Sequence, residues 1–137
     1  MAGPERICSV LETCVYVDDL DAARRFYEGV LGLMLHSRES DRHVFFRCGT
    51  AMFLVFAADR TLRADTGVPA HGARGPGHVC FAVHDDEIDA WRGRFIREHI
   101  AVEQEIQWPR GGRSLYVRDP AGNSVEIASP RIWGLND

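Results

Sequence analysis

The chain has 137 residues, 45% hydrophobic and 26% charged, with 16 basic and 20 acidic side chains and a net charge of −4. That length is enough for one compact domain with a core of its own. A slightly acidic balance without a long Lys/Arg run excludes nucleic acid or an anionic membrane surface as the main partner. No apolar run approaches the roughly 20 residues that span a bilayer.

The N-terminal "MAGPERICSV" has neither a basic n-region nor an apolar h-region, so no signal peptide is expected and the cytoplasm is the expected address. Four cysteines, Cys8, Cys14, Cys48 and Cys80, fall at no CxxC spacing. They read as reduced thiols packed as small hydrophobes rather than as a zinc site.

From Ile7, "ICSVLETCVYV" is rich in β-branched and apolar residues and predicts a strand of at most 10 or 11 residues. Asp18 or Asp19 can cap the helix that follows, with Asp21 in its first turn, and Gly32 supplies its stop. Leu20, Ala23, Tyr27 and Leu31 recur along that helix at helical spacing. "LMLHSR", "HVFFRC" and "AMFLVFA" then predict three antiparallel strands joined by the tight turns "ESD" and "GT". Residues 58–77, with four glycines and two prolines, read as a functional loop or a linker.

The pattern then restarts. "HVCFAV" is a strand, Asp85 or Asp86 can cap the next helix, and Ile88, Trp91 and Phe95 make its apolar stripe. "AVEQEIQW", "SLYVR" and "SVEIA" follow as strands, the last two joined by the turn "DPAGN". The chain therefore reads as βαβββ twice: a first module over about 7–57, the linker 58–77, and a second module over about 78–128. A repeat of this size implies two units that must pack together to bury their faces.

Side chains alternate along a strand, so Glu12 shares a face with Cys14, His78 with Cys80, and Glu126 with Ser124 and Ala128. If Val125 and Ile127 pack against helices, Glu126 points inward, which is costly unless it is paired, protonated or bound to metal. Taken alone, Glu12 is an ordinary strand-end carboxylate and His78 a lone strand histidine. Their matching places in the two units make them a pair to consider.

Three stretches, "VDDLDAARRFYEGVLGL", "GPGHVCFAVHDD" and "YVRDPAGNSVEIAS", occur in this order and resemble the vicinal oxygen chelate superfamily of glyoxalases, bleomycin-resistance proteins and extradiol dioxygenases. The resemblance runs from about Ile7 to Ala128. It implies an α+β fold of two βαβββ modules whose mixed sheets curve into a cup around one divalent metal ion. It also implies Glu12, His78 and Glu126 as ligands, with Glu126 in addition the catalytic carboxylate that moves a proton. A fourth ligand position in the first module falls near Leu54, which is apolar, so three protein ligands are expected. One imidazole and two carboxylates suit Mn²⁺, Fe²⁺, Ni²⁺, Zn²⁺ or Mg²⁺ and leave positions open for two substrate oxygens.

"WPRGGRSLY" offers Trp108, Arg110, Arg113 and Tyr116 as candidate substrate-binding groups, with an exposed basic hairpin as the plainer reading. Among the other histidines only His71, in the linker, is kept as a pocket group. The expected activity is that of a metal-dependent lyase or isomerase on a small oxygen-chelating substrate. An extradiol-type dioxygenase and a non-catalytic protein that binds an antibiotic or aromatic metabolite are the alternatives. A homodimer is expected, because both modules offer sheet edges that need a partner. Whether Glu12 meets His78 of its own chain or of a neighbour stays open.

Overall fold

The computed structural model describes residues 3–64 and 67–137; residues 65 and 66 of the 58–77 linker lie outside the described residues. The first sheet has strand order β1 (Glu12–Val17), β4 (Ala51–Ala57), β3 (His43–Cys48), β2 (Met34–Glu39). The second repeats that order with β5 (His78–Ala82), β8 (Ser124–Ala128), β7 (Arg113–Arg118), β6 (Gln104–Gln107). In each sheet the first strand runs parallel to the last and antiparallel pairs complete the rest. The first strand of each module is thus an edge strand, and the expected α+β arrangement of two βαβββ modules is the one observed.

Alternation assigns the faces. One face of the first sheet carries Val15, Val44, Phe46, Phe53 and Val55, and the matching face of the second carries Phe81, Leu115, Val117, Val125 and Ile127. These residues form a single core with helix residues from both modules. Phe53 meets Phe81 edge-on at 5.1 Å between ring centres, so neither sheet buries its apolar face alone. Burying one such side chain stabilises by about 1.5–3 kcal/mol.

The first helix departs from the expected regular spacing. Asp19 caps α1 (Leu20–Arg24) by accepting from the Ala22 amide at 3.0 Å, and the chain then widens into a π-helical segment over Arg25–Val30. Leu31 N–H reaches back to the Phe26 carbonyl. The wider turn lets the consecutive residues Phe26 and Tyr27 both face the core, at 3% and 0% exposure.

Three further boundaries differ from the sequence reading. The first strand begins at Glu12 rather than Ile7, because its partner β4 begins only at Ala51; Ile7, Val10 and Leu11 stay exposed beyond the ladder. Strand β6 is shorter than "AVEQEIQW" because Trp108 already belongs to the turn, its amide donating to the Gly112 carbonyl. The linker opens with a helical turn, α2 (Ala58–Thr61), whose Thr61 carbonyl accepts from the His71 amide at 2.9 Å.

The "DPAGN" hairpin does more than turn the chain. Asp119, 4% exposed, accepts from the Tyr27 hydroxyl at 2.8 Å and from Asn123 Nδ2 at 2.9 Å. Asn123 Nδ2 also donates to the Tyr16 carbonyl, and its Oδ1 accepts from the Gly77 amide. One buried loop thus ties β1, the first helix and the start of β5 together, satisfying polar groups that would otherwise be costly to bury.

Candidate functional site

The inner face of the second sheet gathers His78, Cys80, Glu126, Ser114 and Tyr116, which alternation sets opposite the core. Glu126 is 6% exposed, and its Oε2 lies 3.3 Å from His78 Nε2. The other ring nitrogen, Nδ1, lies 3.1 Å from the Ser124 carbonyl oxygen. A carbonyl only accepts, so Nδ1 carries a proton, and in the neutral ring Nε2 turns a lone pair toward the carboxylate. Two lone pairs facing each other at that distance call for a cation: a proton, giving an ion pair, or a metal ion.

Ser114, fully buried, donates to Glu126 Oε1 at 2.6 Å and accepts from Trp108 Nε1 at 2.8 Å. Burial and the neighbouring Glu126 carboxylate push the Cys80 thiol up to about 12. They also raise the Tyr116 hydroxyl above the ordinary phenol range. Both groups are held protonated, as hydrogen-bond donors beside the carboxylate. The Tyr116 ring stacks near His78, 6.4 Å between centres.

The same positions in the first sheet are filled otherwise. Glu12 faces Met52 across the ladder as His78 faces Ser124, and Leu54 faces Cys14 as Glu126 faces Cys80. Leu54 is 7% exposed, so the site that holds a carboxylate in one module holds a buried leucine in the other. Glu12, Phe45, Met52, Leu54 and Phe56 line an open cavity of about 690 Å³, closed on one side by linker residues 68–71. His71 lies in this cavity, its Nδ1 2.6 Å from the Tyr16 hydroxyl. Burial, and then Cys14, push that hydroxyl up to about 12.

Among the described residues no three His, Cys, Asp or Glu side chains come together as a metal-holding group within one chain. His78 and Glu126 meet, and Glu12 does not join them. The packing explains why: the Tyr16 end of β1 sits against Asn123, next to the start of β5. Glu12 lies four residues back, a strand rise of roughly 13 Å.

The four residues of "WPRGGRSLY" separate as well. Tyr116 shares the Glu126 face, and Trp108 turns its indole N–H to Ser114. Arg113 points to the helix side, where it donates to Asp89 at 2.9 Å and to the Asp85 carbonyl at 3.3 Å. Arg110 lies on the hairpin turn beside the C-terminal residues Arg131 and Asp137. Ser114 went unread in the sequence, although its place two residues before Tyr116 sets it on the same face.

The chain matches the family model of the Glyoxalase/Bleomycin resistance protein/Dioxygenase superfamily over residues 9–127. With this match on the same repeat that builds the two faces, the chain belongs to that superfamily. It is similar to the crystal structure of a lactoylglutathione lyase from Agrobacterium tumefaciens, with 44% sequence identity and a TM-score of 0.93 over 96% of this chain and 100% of that one. A glyoxalase/bleomycin resistance protein/dioxygenase from Nocardioides shares the fold at 24% identity and a TM-score of 0.71, covering 92% of this chain and 85% of that one. A virulence protein from Salmonella typhimurium shares it at 21% identity and a TM-score of 0.72, covering 91% and 98%. Comparison with curated proteins gives no match. Among the described residues no helix is long and apolar enough to cross a membrane.

Proposed function

We propose that the protein is a metal-dependent lyase or isomerase acting on a small substrate with two adjacent oxygens, and that it works as a homodimer. The observation that carries this reading is the approach of His78 Nε2 to Glu126 Oε2 with Nδ1 already committed to a carbonyl. The donor set fits a divalent ion of borderline to hard character. His78 and Glu126 of one copy would hold it, and Glu12 of a second copy would complete the set, since among the described residues Glu12 joins no such group in its own chain. Such an ion supplies Lewis acidity toward a carbonyl oxygen.

The remaining work falls to the side chains. Glu126 is the group assigned to carry a proton, with Oε1 tied to Ser114. Tyr116, whose hydroxyl is raised above the ordinary phenol range on the same face as Glu126, would donate to a substrate oxygen. The apolar cavity beside Glu12 gives room for the carbon part of the substrate. The similarity to a protein named a lactoylglutathione lyase supports lyase chemistry over ring cleavage. One histidine with two carboxylates also departs from the two-histidine set of non-haem iron oxygenases.

Subunit mixing tests the reading. Glu12→Gln and Glu126→Gln should each lose bound metal, whereas an equimolar refolded mixture should regain about a quarter of the wild-type content, one intact site in each mixed dimer. A mixture that regains none, or a protein that is monomeric by light scattering, overturns the shared site.

A further inference from the structure

Trp108 and Ser114 form a chain of hydrogen bonds that ends on Glu126. The indole Nε1 lies 2.8 Å from Ser114 Oγ, and Ser114 Oγ lies 2.6 Å from Glu126 Oε1. An indole N–H only donates, and a hydroxyl has a single proton. Ser114 therefore accepts from Trp108 and has its own proton left for the carboxylate. The direction of the chain is set by chemistry at its far end. Ser114 is fully buried, so solvent does not compete for it.

The anchor of this chain is held firmly. Trp108 and Gly112 close a tight turn through the Trp108 amide and the Gly112 carbonyl, with Gly112 at φ +82°. A Cβ at Gly112 would come within 2.8 Å of Ile132 Cγ2 and 3.0 Å of the Ile132 backbone nitrogen. The turn thus rests directly on the short helical turn Pro130–Trp133, and only glycine permits that approach. The indole is fixed from outside the site.

We propose that Trp108 and Ser114 are positioning residues: their one-way donor chain ties down Oε1 of Glu126 and holds Oε2 toward His78 Nε2. Without it the carboxylate can rotate and offer either oxygen. The inference rests on the metal-site reading of Glu126, but the donor chain itself can be read in protein without metal.

The test uses the ¹⁵N-labelled full-length chain. In metal-free protein the Trp108 indole resonance is the one lost in Trp108→Phe. Ser114→Ala should shift that resonance and speed its exchange with solvent, and Glu126→Gln should shift it too. An indole resonance that ignores Ser114→Ala overturns the donor chain. Next, Co²⁺ affinity is measured by competition with a chelator. Trp108→Phe, which keeps the aromatic bulk, and Ser114→Ala should each weaken binding about 10-fold, as loss of an outer partner does. In the Ser114→Ala background Trp108→Phe should cost nothing more. If Glu126→Gln reduces Co²⁺ binding while Trp108→Phe leaves it unchanged, the positioning role is overturned. If wild type and Glu126→Gln bind Co²⁺ equally weakly, the metal reading fails instead, and the indole resonance alone decides the donor chain.

Discussion

The inner faces of the two sheets occupy matching positions of one repeat and have opposite chemistry. Across the repeat Phe45 matches Tyr116, Met52 matches Ser124, Leu54 matches Glu126 and His43 matches Ser114. The first sheet presents an apolar wall to a cavity, and the second presents a carboxylate surrounded by hydrogen-bond donors. On the core side the same comparison gives Val44 with Leu115, Phe46 with Val117, Phe53 with Val125 and Val55 with Ile127. Packing density keeps the core positions apolar in both units. The inner faces escape that constraint, so one can supply a space for carbon and the other a polar centre.

The sharpest way to break this contrast is to give the first face the carboxylate it lacks. Leu54→Glu places a charge on a nearly buried apolar surface, and without metal it should cost more than about 2 kcal/mol, or about 5–10 °C in Tm. Part of that loss should return on adding a divalent ion, because the new carboxylate would stand to Glu12 as Glu126 stands to His78. An unchanged Tm in calorimetry would mean that the two faces are less different than their residues imply.

The converse change removes charge from the second face. Glu126→Gln should lower metal affinity more than about 100-fold, beyond the range typical of outer partners. Its Tm should change little, because Val125 and Ile127 keep their packing and Ser114 keeps an acceptor. Metal content and melting on one preparation check both halves. Glu12→Gln should lower affinity less than Glu126→Gln does, since the His78–Glu126 pair remains, but still enough to leave the site empty at the metal concentration that loads wild type.

A pH experiment sharpens the contrast further. The Cys80 thiol is raised from the ordinary 9.0 to about 12, so it stays protonated as pH rises past the range where a free thiol ionises. At pH 8 its thiolate fraction should be about 1,000-fold below that of an unperturbed thiol. Cys8 and Cys80 are both exposed, so the raised Cys80 thiol rather than access should make iodoacetamide label Cys8 well before Cys80, as peptide mapping would show. Glu126→Gln should speed Cys80 labelling several-fold in metal-free protein, because the second cause of the shift is gone while burial remains. The smallest effect belongs to Arg113→Ala. That side chain is engaged with Asp89 on the helix side, so metal affinity should not change.

Much of this protein was legible in residue order alone. The repeat, the core-facing rows and the inward turn of Glu126 follow from alternation along strands, which is local and needs no knowledge of the partner sheet. The matching places of Glu12 and His78 follow from the repeat, whereas Leu54 stands out only through the family resemblance, as the apolar residue at a ligand position. Tertiary structure decided the rest. The π-helical widening after Arg24 answers the need to bury both Phe26 and Tyr27 against two sheets at once. The separation of Glu12 from His78 depends on how the edge strands β1 and β5 are set, which Asn123 fixes from a distant hairpin. Trp108 turns to Ser114, and Arg113 away from the site, because the hairpin's register and its seat on Ile132 leave each side chain one direction to point. Strand periodicity names a face, but only the packing of the two modules determines which groups on that face meet.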